Sequence, residues 1–287
     1  MRVGMYYRNN DVRVEEMPRP EISHGELLVR VIASGICGTD VVEWYRRDKV
    51  PLVLGHEIAG EVIEVGEGIN QYKVGDRISA SHHVPCGSCH YCKMDHHSVC
   101  DTLRKTRFYP GGFSEFLKLP SINVEKGVYR LPDSVSFEEA TFIEPLACVM
   151  RGQRLAMYKK EQRLLVIGSG ISGLLHIQLA KSKGFGRIIA TDINDYRLKK
   201  AVEFGADQAF HARGFKEEKI ADLVILCAGA RTAFEQAFKA IDRGGTILIF
   251  ASAEQGFTFP LPINDFFWRN EVTLVSSYAA NPEEHLQ

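Results

Sequence analysis

The chain has 287 residues, enough for about two domains at roughly 150 residues each. Its 35 basic and 36 acidic residues leave a net charge of −1, and 45% of the residues are hydrophobic and 25% charged, the balance of a globular protein. That balance excludes a phosphate-backbone binder, which needs a basic excess, a disordered chain and, with 11 prolines and 25 glycines, a collagen-like or low-complexity protein.

Residues 1–10 contain no apolar core and no small-residue cleavage site, so they do not read as a secretory leader. Residues 27–33 read as a mostly buried strand. Residues 61–65 alternate in the strand period and run into a Gly66-Glu67-Gly68 turn, and 74–78 and 113–119 add further short strands. This spacing predicts a small β-rich domain, partly barrel-like. Ser136, with Glu139 three positions on, forms a capping box. Pro145 suits the first position of a helix running toward Ala156, a bridge to a second domain.

From Arg163 the pattern alternates. Strands are expected at 164–168, 187–192, 208–211, 222–227, 246–251 and 272–276, with helices between them, among them 197–204 and 233–240. Such alternation predicts a parallel, doubly wound sheet. The most apolar run, 164–180, is interrupted by glycine, serine and histidine and is short for a bilayer, so no membrane association is expected. A last strand near 273–277 would lie at a sheet edge. Edges pair across two-fold axes, so a homodimer or homotetramer is expected.

The strand at 164–167 leads into Gly168-Ser169-Gly170-Ile171-Ser172-Gly173 and then a helical pattern. This is G-x-G-x-x-G in the context its chemistry requires. The first glycine makes the turn, the second lets backbone amides approach a pyrophosphate, and the third lets helix and strand pack closely. Asp192 ends the next strand, about twenty residues further on, where a carboxylate accepts from the adenosine ribose hydroxyls. A 2′-phosphate there would meet a like charge, so NAD is expected over NADP. Arg197, one turn on, is placed to contact the same ribose.

Cys86, Cys89, Cys92 and Cys100 follow the spacing C-x2-C-x2-C-x7-C. Four thiolates so close in sequence can enclose one tetrahedral Zn²⁺ with no open position, a structural site. His90, His96 and His97 lie among them and read as exposed. An iron–sulfur cluster is disfavoured because no redox-partner motif accompanies the cysteines. Seven cysteines, four of them clustered, suit a reducing cytoplasm better than a secreted disulfide framework. Cys37, His56, Glu57 and Glu144 are dispersed. Singly they read as a buried thiol, a core histidine and carboxylates; together they can form a second metal site. Cys148 and Cys227 read as core thiols, and His82 and His83 as surface or cleft residues.

The chain resembles the zinc-containing medium-chain dehydrogenase/reductase family, in its alcohol and sorbitol dehydrogenase-like branch. The residues that carry the resemblance are Gly55-His56-Glu57-Ile58-Ala59-Gly60-Glu61 and the run onward to Ile69, the cysteine lobe, Gly111-Gly112-Phe113-Ser114-Glu115-Phe116 and the dinucleotide motif, all in the family's order. The resemblance implies a GroES-like, β-rich catalytic domain over 1–150 and an NAD-binding Rossmann domain over 151–287. It implies a catalytic zinc held by Cys37 and His56, with Glu57 or Glu144 touching the metal directly or through its water. It makes Thr39 the hydroxyl that meets the substrate oxygen and Asp40 the carboxylate that orients His56. The implied reaction is hydride transfer between NAD(H) and a secondary alcohol or ketone, of polyol or sugar type in the sense that Glu144-Pro145 is similar to sorbitol-dehydrogenase-like members. A threonine or simple alcohol dehydrogenase and a non-catalytic NAD-binding zinc protein are the alternatives. Two departures stand out: Val42 occupies the position of a proton-shuttling histidine, and the chain stops at Gln287, so the family's return to the catalytic domain is expected to be missing.

Overall fold

The computed structural model describes residues 1–286. In the first half of the chain, short strands build two antiparallel sheets. β1 (Arg2–Arg8) pairs with β2 (Asp11–Glu16) on one side. β3 (Leu27–Gly35) belongs to the second sheet, and β4 (Leu52–Val53) covers the other side of β1. β5 (Glu57–Val65), β6 (Arg77–Ala80), β7 (Phe116–Leu119) and β8 (Val128–Arg130) complete the second sheet in the order β7-β3-β5-β6-β8. Leu27, Val29, Ile58, Val62, Ile78 and Leu117 point into one core beneath it.

Three details differ from the sequence expectation. The hairpin of β1 and β2 is not among the expected strands; its alternating Val12 and Val14 face solvent rather than a core. The strand expected at 74–78 begins only at Arg77. Gly75 takes a positive φ of 91°, and the Asp76 carboxylate accepts from the Lys73 amide at 3.0 Å, so 73–76 is a turn. The strand expected from 113 begins at Phe116, because Gly112 and Phe113 donate instead to the carbonyls of Gly55 and Leu54.

The helix Ile143–Leu155 begins two residues earlier than Pro145 suggests, which puts Glu144 in its first turn. Beyond it, β9 (Arg163–Ile167), β10 (Arg187–Asp192), β11 (Gln208–His211), β12 (Ala221–Leu226), β13 (Ile241–Ile249) and β14 (Thr273–Ser276) form a parallel sheet. Their order is β11-β10-β9-β12-β13-β14, the doubly wound arrangement. The continuous apolar run of β9 is explained by burial on both faces. Leu165 and Ile167 join one core with Ile189, Val224 and Phe234, while Leu164 and Val166 join another with Ile177, Ile188 and Ile225. β14 is an edge strand. Among the described residues no helix is long and apolar enough to cross a membrane.

The chain divides into two units, Met1–Ala147 with the segment from Ala279 on, and Cys148–Tyr278. The expected division at 150 left everything after it in one domain and expected no return. In the structure the segment from Ala279 on groups instead with the first unit. The Tyr129 ring stacks on His285 at 5.2 Å and 7°, its hydroxyl donates to the Pro282 carbonyl at 3.3 Å, and Ala279 packs against the cysteine lobe.

Candidate functional site

At the end of β3 the chain turns through Cys37 into a single 3₁₀ turn, Gly38–Val41. The turn is closed by a reciprocal cap. The Thr39 amide and hydroxyl donate to Cys37 Sγ at 3.5 and 3.3 Å, and the Cys37 amide donates to Asp40 Oδ2 at 3.1 Å. β5 begins just after His56 and pairs with β3, register Glu57 against Gly35. This pairing brings Cys37, His56 and Glu57 together, with their ligand atoms all within 4.8 Å of one another. Glu57 needs Gly35 opposite: a Cβ there would collide with the Glu57 carboxylate.

The electrostatics suit a cation. Burial pushes the Cys37 thiol up to about 12 and the Glu57 carboxyl, helped by the nearby Asp40 charge, up to about 7. Burial pushes His56 down to about 4, so its imidazole is neutral with a lone pair to give. Behind it, Asp40 Oδ1 faces His56 Nδ1 at 3.6 Å and Arg46 at 3.7 Å. That oxygen is buried and has no hydrogen bond of ordinary length. It is placed to fix the ring once His56 donates to it, as carboxylates behind metal-binding histidines do. Glu144 is buried, and its charge acts on Cys37, but it is not one of the three whose ligand atoms converge.

Cys86, Cys89, Cys92 and Cys100 form the second cluster, all free of disulfides. Their sulfurs lie 3.9 Å (Cys86 to Cys92), 3.7 Å (Cys86 to Cys100) and 3.5 Å (Cys89 to Cys92) apart. Four sulfurs about 2.3 Å from one zinc would be about 3.8 Å apart, so the cluster fits a tetrahedral ion without rearrangement. The amides of Ser88 and Cys89 donate to Cys86 Sγ and push that thiol down to about 5. Leu103 and Ala279 are the apolar residues packed with these cysteines. His90 and His96 are exposed, and His97 is half-buried outside the cluster.

The glycine-rich turn sits between β9 and the helix Ile171–Ser182. Gly168 has φ +94°; a Cβ on Gly173 would strike the Gly168 carbonyl; a Cβ on Gly170 would meet nothing within 4 Å. Turn, close packing and open approach therefore fall on the three glycines in that functional division. Ile171 is partly exposed at the helix start. Asp192 is buried at the end of β10, where its carboxylate accepts from the Ser169 amide at 2.7 Å and the Asn194 amide at 2.9 Å. Arg197 approaches it to 3.8 Å.

Sequence reasoning missed the part played by three residues. Arg46 donates to the Thr39 carbonyl at 3.3 and 3.2 Å besides facing Asp40, and so ties down the turn that carries Cys37. His82 and His83 are only partly exposed, and their rings stack toward His56. The paired histidines just ahead of the first lobe cysteine were the only sequence signal of that stack.

Comparison with known proteins agrees with this arrangement. Residues 23–133 match the family model described as alcohol dehydrogenase GroES-like domain, and residues 172–286 match the model described as zinc-binding dehydrogenase. The chain is 30% identical to a sorbitol dehydrogenase of Bacillus subtilis (strain 168), over 96% of this chain and 81% of that protein. It is 33% identical to an L-threonine 3-dehydrogenase of Chelativorans sp. (strain BNC1), over 85% and 74%. Among solved structures, a zinc-binding dehydrogenase of Sinorhizobium meliloti 1021 bound to NADP superposes with a TM-score of 0.86 at 27% identity, over 99% of this chain and 85% of that one. A short chain alcohol dehydrogenase of E. coli CFT073 complexed with NADH superposes with a TM-score of 0.85 at 27% identity, over 100% and 85%.

Proposed function

The chain belongs to the zinc-containing medium-chain dehydrogenase family, in its sorbitol and threonine dehydrogenase-like branch, and from that premise we propose that it transfers hydride between NAD(H) and a secondary alcohol of polyol or sugar type. The observation that carries this reading is the convergence of Cys37, His56 and Glu57 in front of Asp40.

In this reading Cys37 and His56 hold a catalytic zinc, with Glu57 or Glu144 completing its surroundings. Bound there, zinc supplies Lewis-acid polarisation of the substrate oxygen and lowers its pKa toward neutrality. With Nδ1 turned to Asp40, His56 has Nε2 left for the metal. Thr39 Oγ1, beside Cys37, takes part in removing the hydroxyl proton. With Val42 where relatives carry a shuttling histidine, that proton leaves through water or another group. The carboxylates of Glu57 and Glu144 make the site polar, which favours a substrate with several hydroxyls. Gly168, Gly170, Ile171 and Gly173 cradle the pyrophosphate, and Asp192 with Arg197 meets the adenosine ribose. The buried negative charge of Asp192 favours NAD over NADP. Cys86, Cys89, Cys92 and Cys100 hold a structural zinc that replaces an apolar core in their lobe. The edge position of β14 supports a homodimer or homotetramer, and seven cysteines of which none, among the described residues, is in a disulfide support a cytoplasmic location.

The test is NADH formation from NAD⁺ over a panel of polyols, sugar acids, amino alcohols and simple alcohols. Faster turnover of polyols than of simple alcohols is expected. The similarity to L-threonine 3-dehydrogenases favours a second reading, in which L-threonine is the preferred member of the panel. No turnover of any alcohol by protein carrying zinc at both clusters overturns both readings in favour of a non-catalytic NAD-binding protein.

A further inference from the structure

We propose that the rings of His82 and His83 form a strut between the four-cysteine lobe and His56, so that the folded lobe sets the metal-binding posture of His56. The inference rests on the reading above, in which Cys37, His56 and Glu57 hold a metal.

The strut begins with a fixed turn. After β6, the Ser81 amide donates to the Gly127 carbonyl at 2.8 Å, and the Ser81 hydroxyl donates to the His83 carbonyl at 2.9 Å. The fully buried Asn123 donates through Nδ2 to the carbonyls of Ser81 and His82 at 2.9 and 3.2 Å. Consecutive side chains in an extended strand point to opposite faces. Here the turn puts them on one side, with ring centroids 3.7 Å apart and planes 37° apart. His82 in turn lies 4.5 Å from the His56 ring, and the edge of Phe108 closes its flank at 6.1 Å. His82 Nδ1 is buried without a hydrogen-bond partner, so the ring face is what this residue brings to the contact.

The far end of the strut is anchored in the lobe. His83 is followed directly by Val84, whose backbone reaches Thr106. Thr106 Oγ1 donates to the Leu103 carbonyl and accepts the Val84 amide, both at 3.0 Å. Leu103 lies in the short helix Asp101–Lys105, whose N-cap is Cys100 of the four-sulfur cluster. A continuous path therefore runs from Cys100 through that helix, Thr106 and the backbone of Val84 to His83, His82 and His56. Asp40 fixes the tilt of the His56 ring from one nitrogen; the His82 ring limits its swing from the face. His82 and His83 are positioning residues, not ligands.

The experiment reads metal release rather than turnover. Protein with zinc in the four-cysteine cluster and Co²⁺ exchanged into the other should show a thiolate-to-Co²⁺ absorption that Cys37→Ser abolishes. Loss of that band on adding a chelator gives the release rate. His82→Ala and His83→Ala should each speed release about tenfold, the lower end of what orienting partners of metal ligands contribute. His82→Phe and His83→Phe, which keep a flat ring, should restore most of the difference. Thr106→Val, which loosens the anchor without touching either cluster, should speed release in the native background and have no further effect in His83→Ala. Native release rates in the alanine variants, phenylalanine variants as fast as alanine ones, or additive effects of Thr106→Val and His83→Ala would each overturn the strut. No Cys37-dependent band in the native protein would overturn the metal reading itself, and the strut with it.

Discussion

The carboxylate of Glu57 rests against Gly35, a position on the neighbouring strand with no room for a Cβ. Gly35→Ala is therefore expected to push Glu57 out of line with Cys37 and His56. Metal analysis should show loss of about one zinc per chain, the four-cysteine zinc retained, and turnover lowered at least about tenfold. Full zinc content with native turnover would show that Glu57 has no part in the site. A second expectation concerns Asp192, which takes two backbone amides, those of Ser169 and Asn194. Asp192→Ala leaves both without their charged acceptor, a loss of about 1.5–3 kcal/mol. Titration should show NADH binding weakened about tenfold or more and the preference for NAD over NADP relaxed; an unchanged ratio would mean that the ribose sits elsewhere. At this scale the sequence was informative wherever chemistry and spacing are local. The four cysteines lie within one loop, and the three glycines within one turn. Cys37 and His56 were recognisable only through a family pattern, because strand pairing, not proximity in the chain, brings them together. The stack of His82 and His83 was not legible, since it depends on Asn123, a distant residue that no local pattern links to the turn it holds.

The helix Ile171–Ser182 carries the glycine-rich turn at one end and a buried histidine in its middle. His176 is fully buried, with Gln153 donating to its carbonyl at 3.0 Å and the Phe250 ring set edge-on at 4.6 Å. Burial pushes its pKa down to about 3. The unfolded chain binds this proton near pH 6.5, so the histidine's contribution to stability is complete above pH 6.5 and is lost as pH falls toward 3. At pH 5 the loss is about 2 kcal/mol. Thermal melts should show Tm falling between pH 7 and 5, with a shallower slope in His176→Asn; an equal slope in the variant would assign the acid sensitivity to other groups. Elements buried on both faces, such as β9, were legible as unbroken apolar runs. The hairpin of β1 and β2 was not, because its valines point outward and only the partner strand β4 gives it a place.

Each of the two units has a core of its own, and under the proposed function each binds its own class of ligand. A chelator should lower the melting of the unit that contains the cysteine lobe, and NADH should raise that of the unit built on β9–β14, since a ligand stabilises only the fold that binds it. Calorimetry in which either addition shifts both transitions equally would contradict this assignment. Light scattering should give a mass that is a multiple of the 32.2 kDa chain, as pairing at the β14 edge requires, and a monomer would refute it. The order of elements was legible in the sequence, whereas the grouping of the segment after Tyr278 with the first unit was not, because the contacts of Tyr129 with Pro282 and His285 join residues more than half the chain apart. Those contacts also bear on biosynthesis. A ribosome adds about 5–20 residues per second, so Tyr129 waits on the order of ten seconds for its partners to be made. Throughout that interval the nascent amino-terminal unit has an uncovered flank, and the six strands β9–β14 are all made before its partners at Pro282 and His285 follow. The unit translated first thus gains these contacts only after the strands of the second have been made, and its open flank is what a chaperone would have to shield.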